Sequence, residues 1–298
     1  MHAQITFTPT ESKKLIATAV AHMEPVARAA REGTVVLHPS SSTFFLVEEL
    51  MGKTPPTNTW LCGAVVPKGT CVEVGAATGE ASIIQDRAEE SAAGGNPEAF
   101  RHSYVLRRGQ FSQGEKLGDL LASLGPGDVY VKGVNALDPQ GQVGVLIGNP
   151  AEGGTIGRVL AAQRKRGFTV IFPVGLEKLI PVSIQDASRA ARRKGCDYAM
   201  GMACSLLPCS GGEVVTEVRA LETLARVKAV PISAGGVGGA EGSITLVITG
   251  EKGEVEKAIA WAEGCKGAQL PTVRTFSCYQ CGILFCEFPM KDKPWVIL

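Results

Sequence analysis

The chain carries no surplus of either charge. Lys and Arg number 30 against 29 Asp and Glu, a formal net charge of +1. A protein whose main partner is a nucleic-acid backbone needs a basic excess or a basic face, so this balance argues against that class. Long apolar runs are also missing: the longest fall short of ten residues, too few to span a bilayer. No charged head followed by an apolar block opens the chain, and no secretory signal is expected. Histidine is scarce, with His2, His22, His38 and His102 the only four. None has a partner at metal-ligand spacing.

Glycine is what the chain has in excess. Thirty-six residues of 298 are Gly, well above an ordinary share of about 7%. They are too scattered for collagen or a linker, and fit a chain rich in tight strand-to-helix turns. An apolar fraction of 45% supplies a buried core and excludes wholesale disorder. The nine cysteines are odd in number and follow no signal peptide, a pattern that fits free thiols in a reducing compartment and a cytoplasmic location. Cys278-x-x-Cys281 with Cys286, plus Cys204 and Cys209, is the one arrangement that resembles a metal site. A zinc site signals itself by two CxxC pairs, and here there is one, so neither metal nor cofactor is expected.

The first 32 residues read as helical, with Thr10 able to cap a run through Leu15, Ile16, Ala19, Val20 and Met23. Pro25 opens a second short helix that Gly33 ends. Thr34–Leu37 reads as a strand, His38–Thr43 as a loop and Phe44–Met51 as a helix stopped by Gly52. Residues 54–112 read as a β-rich insertion with hairpin signals at Pro67-Lys68-Gly69 and after Ser103–Leu106. Lys116–Leu124 reads as helix and Asp128–Lys132 as strand. Val143–Ile147, Ile156–Arg166 and Phe168–Val174 read as strand, helix and strand, which predicts a βαβ unit and a parallel sheet. Beyond Val227 a strand, the glycine run 235–239, the strand Ser243–Thr249, the helix Glu254–Glu263 and strands at Thr272–Phe276 and Ile283–Phe288 predict a small α+β subdomain of split-βαβ, ferredoxin-like type. The expected organisation is an α/β domain over 1–227 and this subdomain over 228–298, with 235–242 as a hinge between them.

Two strand–loop–helix junctions carry the chemistry. In a parallel sheet they lie at the carboxyl edge, where helix N-termini offer free amides to anions. The first places Ser40, Ser41, Ser42 and Thr43 in succession after His38-Pro39. These hydroxyls can bind an anion's oxygens; equally, one can be an N-cap and the rest turn residues. His38 is the one candidate site histidine, although a turn residue held by Pro39 accounts for it as well. The second junction runs from Gly148 to Gly157 and copies the spacing of a phosphate loop, with Gly154 where the lysine belongs. Without that lysine a nucleoside triphosphatase is not expected. The amides around Gly153, Gly154 and Thr155 can still cradle a smaller anion, or the glycines can serve a turn alone. Gly236-x-Gly238 is no dinucleotide fingerprint, because Glu241 stands at the third glycine and a strand follows.

Gly133-Val134-Asn135-Ala136-Leu137-Asp138-Pro139, the following strand, Gly-rich loop and helix, the strand Phe168–Val174 and Glu177-Lys178-Leu179-Ile180 together resemble the ribose-5-phosphate isomerase group. Glucosamine-6-phosphate deaminases, CoA transferases and the sensor domains of sugar-responsive repressors share its fold class. The resemblance implies a parallel-sheet α/β sandwich in which Ser40–Thr43 resembles the phosphate loop. The chain departs from the isomerases at their acid-rich loop, where Lys132, Asn135 and Ala136 replace acids and only Asp138 remains. The helix that should bring a catalytic glutamate reads Thr155-Ile156-Gly157-Arg158. Aldose–ketose isomerisation needs a positioned base, so these losses speak against that reaction.

The expected function is therefore binding of a small anionic, phosphorylated metabolite between Ser40–Thr43 and Gly153–Gly157. Lys132, Asn135 and Asp138 would line the floor and Lys178 would add a second cation. An alternative is an isomerase- or transferase-like enzyme acting on a phosphosugar or CoA ester with Asp138 as relocated base. A third is a non-catalytic regulatory or assembly module. A homo-oligomer is expected; nucleic-acid and membrane partners are not.

Overall fold

A computed structural model describes residues 1–52, 54, 62–66, 69–74, 104–112, 115–148, 153–191 and 196–271. The chain opens on β1 (His2–Phe7), α1 (Pro9–His22), α2 (Glu24–Glu32), β2 (Thr34–Leu37) and α3 (Ser41–Met51). Then come β3 (Cys62–Val66), β4 (Gly69–Val74), β5 (Tyr104–Arg107), β6 (Gln110–Ser112), α4 (Leu117–Ser123), β7 (Val129–Val131), β8 (Ala136–Leu137) and β9 (Val143–Ile147). The second half adds α5 (Gly154–Arg166), β10 (Thr169–Pro173), α6 (Ile184–Ala190), β11 (Ser205–Cys209) and β12 (Glu213–Val215). It closes on α7 (Glu217–Leu224), β13 (Lys228–Ala234), β14 (Ile244–Thr249) and α8 (Lys252–Cys265).

The central sheet has the order β12-β10-β7-β2-β5-β6. Its first four strands are mutually parallel, and β5 and β6 close one edge antiparallel. Both faces are covered, which is why these strands are apolar at successive positions instead of alternating. Val35, Leu37, Val129, Val131 and Ile171 point into one buried cluster. Val36, Tyr130, Val170 and Phe172 point into another. The first cluster joins the sheet to α1, α2 and α3, and the second joins it to α4, α5 and β9. The α/β class expected from the sequence is what the chain adopts, as a three-layer arrangement on a mostly parallel sheet.

Four sequence expectations change. Residues 2–7 are a strand, not helix, and pair antiparallel with β14. The cap of α1 is Thr8, not Thr10: its hydroxyl accepts from Glu11 N, and Glu11 returns a bond to Thr8 N, a complete capping box. The segment 143–147 does not pair with β10. It lies in a separate antiparallel sheet, β11-β9-β8, and the parallel partner of β10 is β7. The crossover between β7 and β10 thus carries a small sheet as well as α5. Finally, 235–242 is the tip of the hairpin joining β13 to β14, not a hinge. Gly235, Gly238, Gly239 and Gly242 all take positive φ there, which explains the glycine run.

The sheet β1-β14-β13 packs through Phe7, Ile244, Leu246 and Ile248 into the first cluster, together with Val255, Ala262 and Cys265 of α8. The expected boundary at 227/228 therefore falls inside a shared core. The expected strands at 272–276 and 283–288, and Cys278, Cys281 and Cys286, lie outside the described residues. Among the described residues Cys196, Cys209 and Cys265 are free thiols. No described helix is long and apolar enough to cross a membrane.

Candidate functional site

At their carboxyl ends the four parallel strands continue the ladder by one more bond between each adjacent pair. His38 N donates to Val131 O, Lys132 N to Ile171 O and Val174 N to Val215 O, each at 2.9–3.0 Å. Backbone pairing alone thus sets His38, Lys132 and the turn after β10 side by side. The chain leaves β2 toward one face, where Phe44 and Phe45 of α3 join the first cluster. It leaves β7 toward the other, where Val134 and Leu137 join the second. Adjacent strands whose exits part in this way leave a crevice between them, the usual ligand position of an open α/β sheet.

The hydroxyl loop sits in this crevice. Ser40 is the N-cap of α3, its Oγ accepting from Thr43 N at 3.2 Å. Thr43 is fully buried and donates its Oγ1 hydrogen to His38 O at 2.6 Å. That bond and its burial make Thr43 a stitch in the loop instead of a ligand contact. Ser41 is half-buried and stays open to solvent. Ser42 receives a hydrogen bond from Lys178 Nζ at 3.2 Å. Gly133 lies beneath: a Cβ there would stand 2.9 Å from Ser40 Oγ and 3.3 Å from Ser42 Oγ. Glycine at 133 is what lets the loop after β7 approach the hydroxyls. His38 is buried, with Nδ1 3.0 Å from the hydroxyl of the fully buried Tyr130.

Lys178 closes the site from the third parallel strand. After β10 the chain makes a single 3-10 turn, Leu176–Lys178. From it Lys178 Nζ reaches Ser42 Oγ and also donates to Val134 O at 2.9 Å. Burial lowers the pKa of this ammonium; attraction to Glu177 and Glu217 opposes the shift, and repulsion from Lys13 adds to it. Glu217, the first residue of α7, is wholly buried. Its two oxygens accept from Leu176 N at 3.0 and 3.1 Å. Burial pushes its pKa up to about 7; repulsion from Glu177 adds to the shift, and bonds from the Ser12 hydroxyl and the Leu176 amide oppose it. Glu177 has both carboxylate oxygens buried with no hydrogen-bond donor. Lys13 Nζ, 3.5 Å from Oε1, faces it from α1. The Glu177 side chain folds back over Gly175, where a Cβ would stand 1.8 Å from Oε2 and would displace the carboxylate.

Other expected residues have different duties. Asp138 is buried, and its Oδ1 accepts from Gln140 N at 3.0 Å and Gln142 N at 2.8 Å. Its Oδ2 accepts from Ile184 N at 3.0 Å. Three amides hold this carboxylate, which ties the turn after β8 to the start of α6. Asn135 Oδ1 accepts from Leu146 N at 3.0 Å and joins the turn after β7 to β9. Lys132 is buried, on the side of the sheet where Cys209 of β11 lies. Its charge acts on the thiol of Cys209, which burial nonetheless pushes up to about 11. Gly153 and Gly154 take φ of +70° and +62° at the start of α5, and Gly153 faces Leu207 of β11. Thr155 is half-buried in the first turn of that helix. The two loops are therefore held by different elements, the hydroxyl loop by β7 and β10 and the glycine loop by β11. Residues 149–152 lie outside the described ones.

Sequence reading missed Glu177, Glu217, Lys13 and Ser12 as members of the site. A sharper rule was available for two of them: residues one to four positions past a parallel strand sit at the carboxyl edge, which holds for Glu177 after β10 and Glu217 after β12. Ser12 and Lys13 arrive from α1 across the sheet and carry no local signal. No known family model matches the chain, and comparisons with curated proteins and with solved structures give no match.

Proposed function

We propose that this protein binds a small anionic, phosphorylated metabolite at the carboxyl edge of its parallel sheet, in the crevice between β2 and β7. The observation that carries this reading is the bond from the half-buried Lys178 ammonium to Ser42 Oγ at the N-terminus of α3. A lysine partly withdrawn from water beside a hydroxyl and a helix start is a costly arrangement. A bound anion would repay that cost, by charge neutralisation and by the helix-terminal amides. Ser40, Ser41 and Ser42 supply hydroxyls and Lys132 a second positive charge. The mostly parallel sandwich and the hydroxyl loop after its first parallel strand support a place in the ribose-5-phosphate isomerase-like class. Thermal unfolding with millimolar sulfate, inorganic phosphate, sugar phosphates, nucleotides and CoA esters tests the reading. A saturating ligand raises stability by about 3 kcal/mol at a hundred times its Kd. No shift with any of these anions overturns the reading.

A second reading is enzymatic, an isomerase- or transferase-like activity on a phosphosugar or CoA ester. One observation favours it: Glu177 offers a buried carboxylate without hydrogen bonds, which Asp138 does not. Exchange of ligand C–H hydrogens in deuterated water, followed by proton NMR, tests it. An unchanged spectrum with phosphosugars and acyl-CoA esters sinks the enzymatic reading and leaves the binding one standing.

A further inference from the structure

Four charged side chains meet behind the proposed anion site, and binding alone does not need all of them. Glu217 comes from α7 and Glu177 and Lys178 from the turn after β10. Lys13 comes from α1 and stands 3.5 Å from Glu177 Oε1. Glu217 also meets the Ser12 hydroxyl and the Leu176 amide. The neighbouring acid on α1, Glu11, turns away to Lys266 Nζ and Gly267 N. Two carboxylates thus bracket one residue, Leu176. One has donors on both oxygens and the other has none.

We propose that the Glu177–Glu217 pair is a proton store coupled to the anion site, so that binding an anion at Lys178 and Ser42 draws a proton onto the pair. The inference rests on the proposed anion binding and adds its regulation. With both acids ionised, two negative charges face the positive charges of Lys13 and Lys178. An arriving dianion contacts Lys178 and takes over part of the field that had offset the acids. Protonating one acid restores the balance. Glu217 is the acid that takes the proton, because it is wholly buried and ionises near neutrality. The proton comes from water or buffer; no bond of the ligand changes. Linkage then requires the affinity for the anion to fall as pH rises through neutrality.

Titration calorimetry with sulfate, a dianion throughout the range between about pH 6 and 8, removes any change in the ligand's own charge. Runs in two buffers of different ionisation enthalpy count the protons taken up. Wild type is expected to bind sulfate about fivefold more weakly at the upper end of that range than at the lower, with net proton uptake near neutrality. Glu217→Gln is expected to bind with less than about twofold dependence and no uptake. Should that variant fold poorly, Glu177→Gln removes the repulsion and is expected to move the midpoint of the dependence to lower pH. Sulfate binding with no proton uptake in wild type overturns this inference while leaving the anion site intact. So does a dependence that Glu217→Gln preserves, or a midpoint that Glu177→Gln leaves in place. No sulfate binding at any pH overturns the anion site itself.

Discussion

The two edges of the parallel sheet treat charge in opposite ways. At the amino edge Asp128 and Glu115 have structural partners. Asp128 accepts from Thr34 N at 2.7 Å and Gly125 N at 2.8 Å, and Arg107 pairs with Glu115 at 2.6 Å. At the carboxyl edge Lys178 is half-buried with its pKa lowered, Glu217 is buried with its pKa raised to about 7, and Glu177 has no hydrogen-bond donor. Charge at the amino edge closes turns; charge at the carboxyl edge is kept under tension. Asp138 shows that the carboxyl edge can also satisfy an acid fully when the duty is structural. The contrast is therefore one of role and not of burial alone.

The largest expected effect is at the amino edge. Asp128→Ala removes two charge-assisted bonds that join the start of β2 to the turn before β7. A loss of about 3 kcal/mol is expected in denaturant unfolding, with anion binding retained once the protein is folded. Lys178→Met reverses that pattern. It removes a half-buried charge, so stability is expected to hold within about 1 kcal/mol, while affinity for sulfate or a phosphorylated ligand falls at least about tenfold. A variant that lost both together would erase the distinction between the edges.

Glu217 gives a smaller effect with a defined sign. Its folded pKa, about 7, lies above the ordinary carboxylate value of 4.5. The folded state then holds more protons than the unfolded one between those values, and stability falls as pH rises through 7. Between about pH 6 and 8 the loss is expected to be about 1 kcal/mol, visible as a lower Tm, and Glu217→Gln should flatten it. The smallest effect returns to the amino edge. Arg108 takes φ of +46° in the two-residue turn between β5 and β6, beside Gly109 at +79°. Arg108→Gly should stabilise the protein by about 0.5 to 1 kcal/mol, because an L side chain pays for that conformation.

The parallel core was legible because its strands announce themselves. Thr34–Leu37 and Val129–Val131 are short apolar runs flanked by glycine turns, and α3 and α5 end at Gly52 and Gly167. The hydroxyl loop was legible for the same local reason, since it follows one such strand. What was hidden is long-range. Nothing in His2–Phe7 names β14 as its partner, 237 to 247 residues away in the chain. Nothing local separates Val143–Ile147, which joins the small antiparallel sheet, from a strand of the main one. Thr43 and Asp138 carry the right chemistry for a site, yet neighbouring amides and carbonyls had already claimed them. Lys13 reaches Glu177 only once α1 is packed on the sheet.

Locating a heavy anion in the crystal compares the two edges most directly. Selenate has the shape and charge of sulfate and reveals itself by the anomalous scattering of selenium. The expected result is a single ordered selenate within hydrogen-bond distance of Ser40, Ser42 and Lys178, absent from crystals of Lys178→Met. Selenate on Arg107 and Arg108 at the amino edge, with none at the hydroxyl loop, would contradict the assignment of the carboxyl edge as the binding site.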